Sequence, residues 1–296
     1  MRILATRRLP GEAWEELSDV EIGALDGPRP DVEALIVAGD RVDGGVLDLV
    51  PSVRLVASYG VGYDNVDVDA CRARGVAVTN TPGVLDAATA DLAMALVLAV
   101  RRRVVEADAL VRAGGWGSSW SAGPFLSREV SGATLGIVGF GRIGAAVARR
   151  ARAFDMRVLV NRRRTGDPDY RELDELLRES DVVTLHTPLT SETRGLISRE
   201  RLALLRDGAT LVNTARGTIV DEDALVAELV SGRISAGLDV FAHEPHVPDA
   251  LLRLPNVVLT PHVASATEET RAAMTRVVVD NVLALARGEP LPTPVS

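Results

Sequence analysis

The chain has 296 residues, 47% hydrophobic and 25% charged, enough apolar material for one large or two medium-sized cores, which excludes a disordered tail. Acidic residues outnumber basic ones 41 to 33, for a formal net charge of -8, and no long cationic block stands in the sequence, so neither nucleic acid nor a membrane surface is expected as a partner. All 33 basic residues are arginine, which rules out a Schiff-base lysine, a lysine general base and a P-loop lysine.

Residues 1–10 hold a short strand-like stretch followed by arginines, without a signal-peptide pattern, so a cytoplasmic protein is expected. Further strands are predicted over 34–38, 54–57 and 76–79. The turn cluster 79–83 then marks a domain crossing, and one long helix is predicted over 86–112. Its apolar part, 87–100, is interrupted by Asp91 and is shorter than the ~18–20 residues of a membrane span, so it reads as a buried helix. That helix is too long for the surface of a small domain and is expected to bridge or to pack against a partner. A second series of strands is predicted over 135–138, 158–160, 182–185, 210–213, 235–238 and 257–260. A last helix over 266–287 runs back to complete the first domain. The expected class is α/β: a Rossmann-type doubly wound parallel sheet with a second, smaller flavodoxin-like α/β domain.

Chemistry-bearing residues are few. The histidines are His186, His243, His246 and His262, so the search for a neutral-pH acid or base is short. The lone cysteine, Cys71, can form neither an internal disulfide nor a zinc site by itself; no metal is expected, and a reducing compartment fits. The run Gly139-Phe140-Gly141-Arg142-Ile143-Gly144 stands between an apolar strand and a helix. There Gly139 permits a tight turn, Gly141 a close approach of the backbone to a pyrophosphate, and Gly144 close packing of helix on strand. This predicts a dinucleotide-binding domain over 87–267. Residues 1–86 with 268–296 are then left as a discontinuous substrate-binding lid domain. At the end of the second strand, where an acidic side chain would hold an unphosphorylated ribose, stand Asn161, Arg162, Arg163 and Arg164. Guanidiniums there suit a 2′-phosphate, so NADP(H) is expected over NAD(H), which stays possible; a solvated basic turn is the alternative.

Further motifs follow in the order of one family. They are Tyr59-Gly-Val-Gly-Tyr-Asp64, Thr79-Asn-Thr-Pro82, His186-Thr-Pro188, Asn213-Thr-Ala-Arg216-Gly217, Gly237-Leu-Asp239, Glu244-Pro245 and Thr260-Pro-His262. With the glycine run, they make the chain resemble the D-isomer-specific 2-hydroxyacid dehydrogenases over nearly its whole length, in the glyoxylate and hydroxypyruvate reductase branch. The resemblance implies that Arg216 binds the substrate carboxylate and polarises the carbonyl, that His262 is the general acid, and that Glu244 hydrogen-bonds its imidazole. It also implies that Asp239 orients the nicotinamide, and that Tyr59, Gly60, Val61 and Gly62 serve the substrate carboxylate. His186, Pro188 and Thr193 would line the adenosine side, and Thr214 and Ala215 the nicotinamide side. His243 and His246 are expected to be loop residues.

In the same branch a tryptophan after the long helix reaches the neighbouring subunit. Trp120 is the candidate here, with a purely dimer-packing aromatic as the alternative. The expected function is NADP(H)-preferring reduction of a small 2-oxo acid, glyoxylate or hydroxypyruvate, by a cytoplasmic homodimer. The alternatives are an NAD-dependent dehydrogenase of another D-2-hydroxy acid or oxyanion, and a non-enzymatic dinucleotide-sensing corepressor.

Overall fold

The computed structural model describes residues 1–117, 125–162 and 168–295. The chain divides into two compact units, Met1–Ala88 with Ser265–Ser296, and Thr89–Ala264.

The first unit is built on a parallel sheet of β1 (Arg2–Ala5), β2 (Val20–Ile22), β3 (Val32–Val37), β4 (Leu55–Ser58) and β5 (Ala77–Thr79), in the order β2-β1-β3-β4-β5. That is the flavodoxin-like order. Strands β3 and β4 are apolar on both faces because both faces are covered. One layer carries α1 (Gly44–Leu49) and α2 (Val68–Ala73), whose N-caps Asp43 and Asp67 accept from the first free backbone N–H groups. Here Leu47 and Cys71 join Leu35, Val37 and Val56 in the core. The returning helix Glu268–Arg287 belongs to the same unit and packs on β4. Beyond it, Pro294 pairs antiparallel with Thr79, and the Val295 N–H donates to the Val78 carbonyl at 2.8 Å.

The predicted helix over 86–112 is two helices, α3 (Asp86–Arg101) and α4 (Val104–Arg112). The cause is Arg101, which is buried and turns its guanidinium inward to the carbonyls of Glu129 and Asp181. Its own carbonyl accepts from the Arg128 N–H at 3.0 Å, and the chain then turns at Arg103, whose φ is 53°. Helix α4 buries none of its side chains.

The second unit holds β6 (Thr134–Val138), α5 (Arg142–Ala153), β7 (Arg157–Asn161), α6 (Leu173–Glu179), β8 (Val182–Leu185), α7 (Arg199–Leu202), β9 (Thr210–Asn213), α8 (Glu222–Val230), β10 (Ser235–Leu238) and β11 (Val257–Leu259). The helix Glu268–Arg287 is α9 in this count. Its six strands are all parallel, in the order β11-β10-β9-β8-β6-β7. Tyr170 adds a one-residue parallel bridge outside β7, with Val160 N–H on the Asp169 carbonyl and Arg171 N–H on the Val160 carbonyl. Counted as a vestigial third strand, it restores the strand order of a dinucleotide-binding sheet, in which the crossover direction reverses between β6 and β8. Alternate residues feed two cores: Leu159, Val183 and Leu211 pack under α6 and α8, while Val158, Val182 and Val212 pack with α3 and α5. No helix among the described residues is long and apolar enough to cross a membrane.

Candidate functional site

In the second unit the carboxyl ends of β6 and β8 meet at the reversal point, where ligands of such sheets lie. Gly139 leaves β6 at φ 93°, and a Cβ there would come within 2.6 Å of the His186 and Thr187 backbone. A Cβ on Gly144 would come within 2.3 Å of the Gly139 carbonyl oxygen, so α5 touches the turn itself. Gly141 differs from both: its φ is ordinary, and a Cβ would meet nothing within 4 Å. The protein's own packing does not demand glycine there. A side chain at Gly141 would fill the approach to the N-terminus of α5, where free N–H groups and the helix dipole favour a phosphate.

Around this turn stand the other residues expected to serve the cofactor. The Arg162 guanidinium lies 5.6 Å from the centroid of the Phe140 ring. Asn161 ends β7, and its amide donates to the Arg171 carbonyl at 3.0 Å, tying down the outer edge with Tyr170. Arg163 and Arg164 lie outside the described residues, as does Trp120. His186 is half-buried, with Nε2 2.9 Å from Thr184 Oγ1, and burial pushes the imidazole down to about 4, so the ring is neutral at neutral pH. The Thr193 hydroxyl donates to the Pro188 carbonyl and accepts from the Thr190 N–H, each at 2.7 Å, which fixes the loop after β8.

A second group gathers after β9, β10 and β11. Asn213, almost fully buried, accepts from the Ala215 N–H at 3.0 Å and donates to the Arg216 carbonyl at 2.9 Å, clamping the turn that presents Arg216. In the sequence Asn213 is no more than a motif residue; in the fold its task is to fix this turn. Thr214 Oγ1 is buried without a hydrogen-bond partner among the described residues, a polar atom left for something the chain itself does not supply. Gly217 has no room for a side chain, since a Cβ would fall 1.9 Å from the Phe241 carbonyl carbon. The Arg216 turn therefore lies directly on the loop that carries Glu244.

Glu244 Oε1 accepts from the Phe241 N–H at 3.0 Å, and its Oε2 lies 2.7 Å from His262 Nδ1. Burial works to raise the pKa of this carboxyl. The hydrogen bonds from His262 and the Phe241 N–H, with the positive charges of His262 and Arg216, outweigh it, and the net shift is downward. With Nδ1 donating to a carboxylate, Nε2 is the imidazole atom left to exchange a proton, and it has no hydrogen-bond partner among the described residues.

His262 holds a left-handed backbone, φ 54°, and Asp239 explains how. The Asp239 carbonyl accepts from the His262 N–H at 2.8 Å. Its fully buried carboxylate accepts from Thr260 Oγ1 at 2.6 Å, the Val263 N–H at 2.8 Å and the Ala264 N–H at 2.9 Å. Expected to orient a cofactor, Asp239 is found clasping the segment that presents the histidine. His243 and His246 face each other across a tight turn, His246 N–H to His243 carbonyl at 2.8 Å, and neither hydrogen-bonds the Glu244–His262 pair.

In the first unit, the loop after β4 is held by its carbonyls. Gly60 O accepts from the Thr81 N–H at 2.9 Å, and Val61 O from the Asn80 amide at 2.8 Å. The N–H groups of Val61 and Gly62 have no partner among the described residues. The Tyr59 hydroxyl is already engaged, donating to the Arg271 carbonyl at 2.9 Å, while the Arg271 guanidinium lies 5.5 Å from the Tyr59 ring centroid. No group of three or more His, Cys, Asp or Glu among the described residues is placed to hold a metal ion.

The family model for the NAD binding domain of D-isomer specific 2-hydroxyacid dehydrogenases matches residues 94–264. The glyoxylate reductase of Pyrococcus furiosus is 48% identical over 297 residues, covering 96% of this chain and 88% of that protein. The glyoxylate reductase of Korarchaeum cryptofilum is 50% identical over 310 residues, covering 97% and 93%. Among solved structures, an NADPH-dependent glyoxylate/hydroxypyruvate reductase of Sinorhizobium meliloti, in complex with NADP and malonate, superposes with a TM-score of 0.90 at 37% identity, covering 100% of this chain and 96% of that one.

Proposed function

This chain belongs to the D-isomer-specific 2-hydroxyacid dehydrogenases and is an NAD(P)-dependent oxidoreductase, and from that we propose that it reduces a small 2-oxo acid, glyoxylate or hydroxypyruvate, with NADPH preferred. The product is the 2-hydroxy acid, of D configuration where it is chiral. The observation that carries this reading is the 2.7 Å pair of Glu244 and His262 Nδ1, which leaves Nε2 to hand over a proton beside the charge of Arg216.

The open approach at Gly141 and the orphaned Thr214 hydroxyl fit a dinucleotide. The residues that would hold it are 139–144, Asn161, Arg162, His186, Pro188, Thr193, Thr214 and Ala215. When bound, the reduced nicotinamide supplies the hydride. Arg216 binds the substrate carboxylate with its planar fork and polarises the carbonyl. His262 Nε2 gives its proton to the carbonyl oxygen as the alkoxide charge develops there. Glu244 compensates the positive imidazolium, and Asp239 keeps its backbone in place. The N–H groups of Val61 and Gly62 take the substrate carboxylate.

Arg162, with no carboxylate at Asn161, supports NADPH over NADH, and the Sinorhizobium meliloti relative is described as NADPH-dependent. The lone buried Cys71 agrees with a reducing cytoplasm. We assign the uncovered apolar side chains Val104, Val105, Val111, Trp116 and Leu126, all more than half exposed, to a homodimer contact. The direct test follows loss of NADPH and NADH absorbance in parallel with glyoxylate, hydroxypyruvate, pyruvate and a phenyl-substituted 2-oxo acid. Faster turnover of NADPH with one of the first two substrates is expected. Tight cofactor binding without turnover of any pair would overturn the reading in favour of a sensor.

A further inference from the structure

The segment 79–82 matches a family motif, yet none of its side chains has a task in the reaction outlined above. We propose that Asn80 is a positioning residue for the substrate carboxylate: it aims the Val61 and Gly62 N–H groups, and the C-terminal segment from Thr293, locked by buried Asn281, holds Asn80 in place. This rests on assigning the 60–62 loop to the carboxylate.

In a trans peptide the C=O and the following N–H point to opposite sides, and the peptides of this loop are trans. Gly60 O is tied to the Thr81 N–H at 2.9 Å, so the Val61 N–H must point away from the 80–81 backbone. Val61 O is tied to Asn80 Nδ2 at 2.8 Å, so the Gly62 N–H must do the same. Two successive outward N–H groups form a concave donor pair suited to an anionic oxygen. Backbone alone fixes the first of them; the second depends on one side-chain amide.

That amide is itself held. Thr293 Oγ1 donates to the Asn80 carbonyl at 2.7 Å, and the Asn80 N–H reaches the Thr293 carbonyl at 3.4 Å. Thr293 in turn donates its N–H to Asn281 Oδ1 at 3.1 Å and accepts from Asn281 Nδ2 at 2.9 Å. Asn281 is fully buried on α9 beside Val278 and Val282, and its remaining amide hydrogen goes to the Val277 carbonyl at 2.7 Å. A buried amide among valines is costly unless satisfied, and here Thr293 supplies most of its satisfaction. The next two residues continue the attachment along β5 through the Thr79–Pro294 pairing and the bond from Val295 to Val78. An unbroken chain of hydrogen bonds thus runs from the buried face of α9 to the Val61 carbonyl, whose peptide carries the Gly62 N–H on its opposite side.

The test uses the full-length enzyme and Asn80→Asp, which keeps the shape and replaces the donor facing Val61 O with an acceptor. Steady-state KM and kcat for glyoxylate, the inhibition constant of oxamate as a carboxylate probe, and the NADPH dissociation constant by fluorescence are measured together. A carboxylate contact shared by ground and transition states predicts that KM and the oxamate constant rise together at least ~10-fold, with kcat changed less than about threefold and NADPH binding unchanged. Thr293→Val should raise the same two constants about threefold, and Thr293→Ser should restore them. If Asn80→Asp does not fold, the Thr293 pair decides alone. Wild-type constants in the folded variants would overturn the proposal. So would equal losses in KM, kcat and NADPH affinity, the mark of a merely structural role. Absence of any wild-type turnover of 2-oxo acids would instead overturn the functional assignment, and this inference with it.

Discussion

Two regions of the nucleotide-binding unit solve the problem of presenting a reactive surface in opposite ways. The turn from β6 to α5 is shaped by side chains that are missing: a Cβ on Gly139 or Gly144 would strike backbone, and one on Gly141 would occupy the approach to the helix. The segments that present His262 and Arg216 are shaped by polar side chains that are present and buried, Asp239 for the first and Asn213 for the second, each hydrogen-bonded to neighbouring backbone. The first device makes room for a large ligand; the second fixes the direction of a few atoms. Under the proposed function, binding of the cofactor and transfer of the proton are expected to be separable by mutation.

The sharpest separation lies within the glycine turn. Gly144→Val forces a side chain onto a carbonyl 2.3 Å away and should cost several kcal/mol, a large part of a typical ~5–15 kcal/mol stability, so little folded protein is expected on thermal denaturation. Gly141→Val should melt like the wild type while losing roughly 100-fold or more in NADPH affinity by fluorescence titration. If both variants unfold alike, the distinction between packing and ligand glycines fails.

On the other side of the comparison, Glu244→Gln keeps the shape of the His262 contact and removes the charge that compensates the imidazolium. A fall in kcat on the order of 10²-fold with unchanged NADPH binding is expected from steady-state and titration data. A smaller effect is predicted for Arg162→Ala, about a tenfold loss in the NADPH-to-NADH ratio of kcat/KM, with little change for NADH itself.

The smallest effect concerns stability. His186 has a folded-state value near 4, below its ordinary 6.5, so the unfolded chain takes up the proton first as pH falls. Its contribution is complete above about pH 6.5 and is lost progressively towards pH 4, on the order of 2 kcal/mol for a partly exposed ring. Urea denaturation at pH 7 and pH 4.5 should show the wild type losing more stability than His186→Gln over that interval.

The glycine turn was legible in the sequence because its constraint is local: three glycines at fixed spacing between a strand and a helix. The strands around it were legible for a related reason, since buried parallel strands are short continuous apolar runs, and β8, β9 and β10 fall where those runs do. Arg216, Glu244 and His262 could be picked out through the family resemblance, and the structure places them at neighbouring strand ends. What could not be read was long-range. The break between α3 and α4 follows from Arg101 reaching carbonyls at 129 and 181, far along the chain. Strand β2 is only three residues long, and its pairing with β1 gives no periodicity to detect. The clasp of Asp239 on 260–264 joins residues that only the fold brings together. In each case a polar group's partner lies many residues away, which local patterning does not encode.

The proposed function has His262 move the proton while the glycine turn separately holds the cofactor. The most direct measurement is glyoxylate-dependent oxidation of NADPH by the wild type and by His262→Ala, with the NADPH dissociation constant determined for both. A loss of about 10³-fold or more in kcat at unchanged cofactor affinity is the predicted result. Comparable rates in the two proteins, or a loss that follows weakened NADPH binding, would contradict it.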